Sequence, residues 1–318
     1  MTTDPRAITV LARRRQVLGG ALCLCCAPAL AAGDGTSPAR LREVAPGLFV
    51  RTGVTEDATA TNQDGIANIG FVVGRDAVAV MDPGGSLADG QSLRLALRRV
   101  TQLPVRYVIL SHVHPDHVFG AAAFAADKPR YVGAQRLPAL LAARGAYYQR
   151  ALAELLGARA GPVVVPDVLV RDTLTLDLGG RALHLTAHPP AHTAADLSAV
   201  DTRTNTLMAA DLLFVHRVPA LDGDLKGWLG ELDRMQAWRV AAAVPGHGPP
   251  ILPYDAAVAG LRRYLTVLLR ETRQAVAKSV PIEQAAHSVA ASERDKWALF
   301  DAYNPRNVLE AYRQLEWE

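Results

Sequence analysis

The sequence predicts an α/β (α+β) fold in which two mixed β-sheets pack face to face and helices cover their outer faces. Two observations predict it. Apolar, strand-like runs are followed by stretches with helical spacing, and this order occurs twice along the chain. With 318 residues and 50% hydrophobic side chains, the chain can bury a large core.

The first half of the chain reads as strands that lead into helices. Leu93, Leu97 and Val100 recur at helical spacing, and Gly74-Arg75-Asp76 predicts a hairpin turn between two strands. We predict strands at 48–52, 69–73, 77–81, 107–110 and 130–132, and helices at 89–100, 118–126 and 135–156.

The second half repeats this pattern. Two alternating runs flank Gly179-Gly180, which predicts an antiparallel pair of strands. Beyond Pro253 the chain is mostly helical, with Leu261, Leu265 and Leu268 on one stripe. We predict strands at 173–178, 182–186, 197–200, 206–209 and 241–244, and a helix at 225–238.

The N-terminus has the pattern of an export signal. Arg13-Arg14-Arg15 precedes a short apolar run, and Ala29-Leu30-Ala31 ends it in an A-x-A arrangement. Arg14-Arg15 resembles the twin-arginine motif, although the general secretory (Sec) route stays open. We predict a signal peptide at 1–31, a linker at 32–43 and one domain at 44–318, and we expect a periplasmic protein with no membrane anchor after cleavage.

Charge and cysteine content describe that leader and not the domain. Residues 1–31 contain four of the 34 basic side chains and one of the 31 acidic side chains. The rest of the chain therefore has 30 basic and 30 acidic side chains. All three cysteines also lie in the leader, as Cys23, Cys25 and Cys26. A neutral body without clustered basic residues argues against nucleic-acid binding. The lack of thiols excludes a disulfide framework, a cysteine nucleophile and a thiolate metal site there.

Three histidines and an aspartate are gathered directly after a predicted strand. They lie in Ser111-His112-Val113-His114-Pro115-Asp116-His117. Pro115 favours an extended His114 and suits the first position of a helix, so His112 and His114 can converge on one ion while Asp116 and His117 turn toward another. Neutral imidazoles and carboxylates suit zinc, and also iron or manganese. The spacing predicts a metal site and not solvated loop residues.

With its neighbouring motifs, this cluster resembles the metallo-β-lactamase-fold hydrolase superfamily. The matching segments occur in the superfamily's order between residues 48 and 249. They are Met81-Asp82-Pro83-Gly84, the histidine cluster, Pro189-Pro190-Ala191-His192-Thr193, Leu207-Met208-Ala209-Ala210-Asp211 and Val244-Pro245-Gly246-His247-Gly248.

The resemblance implies an αββα sandwich with a small-molecule substrate and two Zn²⁺ ions per chain, with iron or manganese as alternatives. One ion would be held by His112, His114 and His192, and the other by Asp116, His117 and His247. Asp211 would lie between the ions, and Asp82 would support the ligand loop. Asp116 would also act in catalysis by orienting the water or accepting its proton.

The loop from Phe214 to Trp228 resembles more closely the SoxH-related quinoprotein relay system zinc metallohydrolases. This resemblance implies a periplasmic quinoprotein (PQQ) dehydrogenase as a partner. We expect a metal-bound hydroxide to attack an ester, thioester or lactam carbonyl. The alternatives are a zinc β-lactamase-like or glyoxalase II-like hydrolase, an accessory metal-binding protein without turnover, and an iron-dependent sulfur-compound oxygenase.

Two residues of this loop are candidate substrate contacts. His216 and Arg217 follow Asp211 closely enough to approach a substrate, and a guanidinium can bind a carboxylate. The alternative for Arg217 is a solvated or structural salt bridge.

Overall fold

The computed structural model describes residues 37–318. The predicted signal peptide and the first residues of the predicted linker lie outside the described residues, so both stay predictions. Within residues 37–318, no helix is long and apolar enough to cross a bilayer.

The first sheet has seven strands in sequential order. Its first four strands pair antiparallel, and the fourth to seventh pair parallel, which makes the sheet mixed. The strands are β1 (Arg42–Ala45), β2 (Leu48–Arg51), β3 (Ile69–Val73), β4 (Val78–Met81), β5 (Val105–Leu110), β6 (Arg130–Ala134) and β7 (Val168–Val170).

The second sheet has six strands and is also mixed. Its order is β13-β12-β11-β10-β9-β8, and only β11 and β12 run parallel. The strands are β8 (Thr173–Asp177), β9 (Ala182–Ala187), β10 (Leu197–Asp201), β11 (Thr206–Phe214), β12 (Ala242–His247) and β13 (Leu252–Pro253).

Seven α-helices accompany the sheets in the described part of the chain. Six of them begin beside a Pro, Ser or Asp residue, and these residue types are common at helix starts. They are α1 (Leu87–Val100), α2 (Pro115–Val118), α3 (Leu137–Leu156), α4 (Leu225–Gln236), α5 (Tyr254–Ala277), α6 (Ile282–Ser288) and α7 (Phe300–Leu315).

Strand β11 shows how the layers are joined. All nine of its residues are buried, and successive side chains of a strand point to opposite faces. Met208 and Ala210 join an apolar cluster with strands of the first sheet. Leu207 and Leu213 join a second cluster with α4, α5 and α7. The two faces of the second sheet therefore pack against the first sheet and against helices, as the sequence predicts.

The segment after the histidine cluster differs from its prediction. Instead of one helix at 118–126, the chain forms α2 and then a 3₁₀ helix at Ala121–Asp127. Gly120 lies between them, and a Cβ there would come within 2.2 Å of the Pro83 carbonyl oxygen. The backbone of Gly120 instead donates to Gly84 O at 2.7 Å. This close backbone contact interrupts the helix.

A buried ion pair ties the β8–β9 turn to both sheets. Arg181 donates from Nε and Nη2 to the two carboxylate oxygens of Asp201 at 2.9 and 2.7 Å. Its Nη1 donates to Val73 O of β3 at 2.9 Å. Both side chains are almost fully buried, so removing one partner would leave the other charge without compensation.

We therefore expect Arg181→Met to lower the free energy of unfolding by about 3–5 kcal/mol, measured by urea denaturation. Arg171→Met is the control, because the Arg171 and Asp172 side chains are 82% and 86% exposed. That control should change stability by less than about 0.5 kcal/mol. Equal effects of the two substitutions would contradict this role for the buried pair.

Candidate metal centre

The predicted ligands come from loops and strand ends of both sheets. His112 and His114 follow β5, and Pro115 starts α2, which carries Asp116 and His117. The second sheet supplies three further residues. His192 lies in the loop between β9 and β10, Asp211 lies within β11, and His247 ends β12.

The structure brings all seven predicted ligands together in two adjacent groups. Each residue in a group offers a ligand atom, and these atoms lie within 4.8 Å of one another. The groups are His112, His114, His192 and Asp211, and Asp116, His117 and His247.

The carboxylate of Asp211 faces both groups. Its Oδ2 lies 3.4 Å from His192 Nε2 and 3.7 Å from His112 Nε2. Its Oδ1 lies 2.9 Å from His117 Nε2 and 3.4 Å from His247 Nε2. One oxygen is thus turned to each set of histidines, as a bridging carboxylate would require.

The backbone around Asp211 is shaped to admit this carboxylate. Ala210 has φ +47°, in the left-handed region that non-glycine residues rarely adopt, and the β11–β12 register shifts there. A Cβ on Gly246 of the neighbouring strand would lie 1.9 Å from Asp211 Oδ1. Only glycine therefore fits beside the carboxylate.

Asp82 orients two of the histidines. His117 Nδ1 donates to Asp82 Oδ2 at 2.8 Å. Ser111 Oγ also donates to Asp82 Oδ2, at 2.9 Å, and is therefore an acceptor for His112 Nδ1, also at 2.9 Å. Both rings thus carry their proton on Nδ1 and present Nε2 to the centre. Asp82 has the supporting position that the sequence predicts.

The other three histidines are fixed in the same way. His192 Nδ1 donates to Ala220 O at 2.7 Å, and His247 Nδ1 donates to Ile66 O at 3.0 Å. His114 uses its other nitrogen, because Nε2 donates to Asp222 Oδ2 at 3.1 Å. His114 therefore presents Nδ1, which lies 3.0 Å from His192 Nε2. Neutral rings with inward lone pairs are the form that binds metal ions.

The inward atoms fit metal ions and have no close partner outside the two groups. In the described part of the chain, His112 Nε2 is buried without a hydrogen bond. His117 Nε2 and Asp211 Oδ1 are also buried, and each faces the other at 2.9 Å. Such atoms are costly in a folded protein unless something binds them. Five imidazoles and two carboxylates form the donor set expected for zinc, iron or manganese.

Burial and neighbouring charges shift the pKa values of the histidines in different directions. Burial lowers the pKa of His112 and lowers the pKa of His192 to about 3, so both rings are neutral at pH 7. Burial also lowers the pKa of His117, but the carboxylates of Asp211 and Asp116 outweigh it and raise the pKa above its ordinary value. Without a metal ion, His117 therefore holds a proton that a metal would displace.

A cavity of about 400 Å³ opens on the two groups. His114, Asp116, Asp211 and His247 line its base. Its walls come from α3, from the loop after β11 and from α7, through Tyr148, Phe214, Arg217, Val218, Leu221, Asp222, Tyr303, Arg306 and Asn307. A small organic molecule can reach the predicted ligands here.

The two predicted substrate contacts have different positions. Arg217 lines the cavity, but it is 4% exposed and its guanidinium donates to Glu56 O at 2.6 Å and to Tyr303 Oη at 3.0 Å. These bonds hold Arg217 in the cavity wall, and its Nη2 also lies 3.8 Å from Asp57 Oδ1. A contact between Arg217 and a substrate stays a prediction. His216 is exposed and does not line the cavity.

The sequence analysis did not single out Asp222. Besides accepting from His114, its carboxylate pairs with Arg144 of α3, and it connects the ligand loop to the cavity wall. No local motif marks Asp222, which is 108 residues from its histidine partner. The sequence could have indicated Asp222 only through its position in the loop between β11, which carries Asp211, and α4.

Comparison with known proteins identifies the fold and its family. A model of the metallo-beta-lactamase superfamily matches residues 62–247, which is more than half of the chain. The chain belongs to the metallo-beta-lactamase superfamily. This confirms the family and the fold predicted from the motifs, and the fold typically binds two metal ions at such His and Asp clusters.

One curated relative of this chain is the linear primary-alkylsulfatase of Pseudomonas sp. (strain ATCC 19151). It is 22% identical over 240 residues, which cover 64% of the chain and 44% of the relative. The chain therefore matches less than half the length of that relative.

Two solved structures share the fold of this chain, although their sequence identity to it is low. The metallo-beta-lactamase from Pontibacter korlensis has a TM-score of 0.59 and 18% identity, and the alignment covers 71% of this chain and 98% of that one. The stereoselective inverting sec-alkylsulfatase Pisa1 from Pseudomonas sp. has a TM-score of 0.64 and 19% identity, with coverage of 87% and 50%. Residues 254–318 make up a fifth of the chain, so the second alignment includes part of the C-terminal helices.

We expect Asp82→Asn to weaken metal binding by about 10- to 100-fold. Asparagine tolerates the φ of +53° at this position. Its Oδ1 can still accept from Ser111 N, but the Nδ2 that replaces Oδ2 cannot accept from Ser111 Oγ or from His117 Nδ1. Competition with a chromophoric chelator measures the affinity. Asp172→Asn, at an exposed position, is the control, and an unchanged affinity in Asp82→Asn would contradict the role of Asp82.

Metal affinity should rise with pH across the neutral range. The carboxylates raise the pKa values of His117 and His247 against the effect of burial, so metal binding must release protons from one or both rings. Below those pKa values, affinity should fall about tenfold per pH unit for each proton released. Isothermal titration in buffers of different ionisation enthalpy counts these protons, and a pH-independent affinity would rule out the displacement.

Proposed function

We propose that the protein is a metal-dependent hydrolase that cleaves an ester of a small organic molecule. The observation that carries this proposal is Asp211, which turns one carboxylate oxygen to each histidine group at the base of an open cavity. A shared carboxylate between two ligand groups is suited to a pair of ions that act on one substrate.

The proposed roles follow the two groups. His112, His114 and His192 would hold one ion, and Asp116, His117 and His247 the other, with Asp211 between them. Two divalent cations would lower the pKa of a water molecule and polarise the group under attack. The sequence favours zinc, with iron or manganese as alternatives.

Asp116 has a second role in this proposal. Burial raises its pKa, but His117 and His247 outweigh burial and hold the pKa below its ordinary range. The carboxylate is therefore ionised at neutral pH, and it borders the cavity. It can orient the attacking water and accept its proton at a carboxylate oxygen.

The carbonyl of an ester, thioester or lactam is the first substrate class, as the resemblance implies. A sulfate ester is the second, and two observations favour it. The curated relative is an alkylsulfatase, and Arg306 lines the cavity with no acidic partner among the described residues. A guanidinium of this kind suits an anionic substrate.

We expect the metal-loaded protein to hydrolyse members of a panel of nitrophenyl esters, thioesters, nitrocefin and alkyl sulfates. His114→Ala and Asp116→Asn should lower kcat/KM by about 10²–10⁴-fold. His184→Ala is the matched control, because His184 contacts Thr175 on the second sheet, away from the ligands, and it should change activity less than twofold. Unchanged turnover after chelation would remove the proposal, while iron content with oxygen uptake would favour the oxygenase.

We also propose export to the periplasm and a functional link to a quinoprotein dehydrogenase. The arginine-rich leader and the resemblance of the 214–228 loop support this. Residues 1–40 fused to maltose-binding protein, which folds without disulfides, should place the fusion in the periplasmic fraction of a bacterial host, and Arg14→Lys with Arg15→Lys should abolish twin-arginine export. A periplasmic fusion that persists in the double variant would indicate the Sec route, and absence of the fusion from the periplasm would contradict export.

A further inference from the structure

A second lobe adjoins the cavity that opens on the predicted ligands. Its volume is about 400 Å³. The two spaces share wall residues, namely Ile66, Pro115, Asp116, Tyr148, Tyr303 and Arg306. A substrate that reaches Asp116 can therefore extend into this lobe. The lobe is otherwise lined by small and apolar side chains of α3 and α7, such as Ala151, Leu155 and Ala302, and by Asp57 and Asp64.

Two of the three aspartates that line the lobe, Asp57 and Asp64, differ in their partners. Asp57 accepts from Tyr303 Oη at 2.6 Å and is more than half exposed. Asp64 is 3% exposed. Among residues 37–318 its carboxylate has no hydrogen-bond donor and no basic partner within 4 Å. The Asp64 carboxyl oxygens are not among the described atoms that are fully enclosed without a partner, and the residue lines the lobe. A carboxyl group that is so little exposed and has no donor from the protein is suited to a donor group of a ligand in the lobe.

The backbone forces Asp64 into this position. Gln63 and Asp64 both have positive φ, at +54° and +61°, which is unusual for two consecutive non-glycine residues. The loop is held from two sides. Ser86 Oγ donates to Gln63 O at 2.7 Å, and Arg51 Nη1 donates to Gly65 O at 2.7 Å.

Close packing removes any free space behind the residue. A Cβ on Gly85 would lie 2.2 Å from Asp64 O and 2.8 Å from Asp64 Cγ. Strain that the surroundings maintain in this way is typical of binding sites.

The charges around Asp64 define what it can bind. Asp57 and Asp116 line the lobe together with Asp64, so these carboxyl groups disfavour a further anion beside Asp64. In either protonation state the Asp64 carboxyl group, which lines the lobe, offers an acceptor oxygen. A hydroxyl or an ammonium group can donate to that oxygen, and a plain alkyl group cannot.

We propose that the second lobe binds the organic group of the substrate and that Asp64 recognises a hydroxyl or amine on that group. The proposal rests on the hydrolase function above and names the substrate class: esters of hydroxyalkyl or aminoalkyl compounds. The apolar residues of α3 and α7 contact the chain, and the carboxyl group of Asp64 contacts its polar end.

Binding of product-like acids to the metal-loaded protein tests this without turnover. The probes are unsubstituted, ω-hydroxy and ω-amino straight-chain carboxylates of four to eight carbons, compared at equal chain length by isothermal titration. The wild type should bind the ω-hydroxy or the ω-amino acid at least about tenfold more tightly than the unsubstituted acid at one or more lengths. Which of the two is preferred distinguishes a hydroxyl from an amine.

Three variants isolate the carboxyl group. Asp64→Gly suits the positive φ and should remove every preference. Asp64→Asn keeps an acceptor and should retain a preference for hydroxyl while losing one for amine. Gln63→Gly is the matched control, since it relieves the same backbone strain without touching the lobe, and it should bind like the wild type.

The result of this binding test can be distinguished from the result of the turnover test for the hydrolase proposal. Equal binding of the three probe types at all lengths, absence of binding, or a preference that survives in Asp64→Gly would overturn the role of Asp64. Lack of metal-dependent turnover on the ester panel would instead remove the hydrolase function, whatever the probes show.

Discussion

The carboxylate of Asp211 lies between two sets of histidines, and much of the nearby structure serves to hold it there. The register of β11 and β12 shifts beside it, Ala210 adopts a left-handed conformation, and Gly246 leaves the space that it fills. Each of these features costs stability in a β-sheet. They place the carboxylate between the inward histidine nitrogens, so the position of Asp211 is a constraint on the local geometry of β11 and β12.

The motifs predicted which side chains lie together because the positions of these residues depend on local geometry. A strand that ends in closely spaced histidines, followed by a proline at a helix start, directs side chains without help from distant residues. The other motifs, at His192, Asp211 and His247, are also short and lie at strand ends or in turns. The order of strands and helices in both halves was predicted for the same reason, since burial on one face leaves a periodic pattern.

Other features depend on contacts that the local sequence does not carry. The break between α2 and the following 3₁₀ helix arises from the approach of Gly120 to Pro83 and Gly84. The strand β11 extends five residues beyond its prediction because both of its faces are covered, and such strands lose the alternating pattern. Asp222, Asp64 and Tyr303 acquire their positions from partners more than twenty residues away in sequence.

The two predicted ion sites have one further property. Each ligand group combines residues that follow strands of the first sheet with residues of the second, so neither sheet alone contains a complete set. A bound ion would therefore cross-link the two halves of the sandwich. Asn68, directly before β3, already joins the two sheets, since its backbone N donates to Gly246 O and its side-chain Nδ2 donates to Pro245 O of β12. Complete loading of both predicted sites would therefore require residue 247 and the docking of the two sheets, so metal binding would follow the assembly of the sandwich.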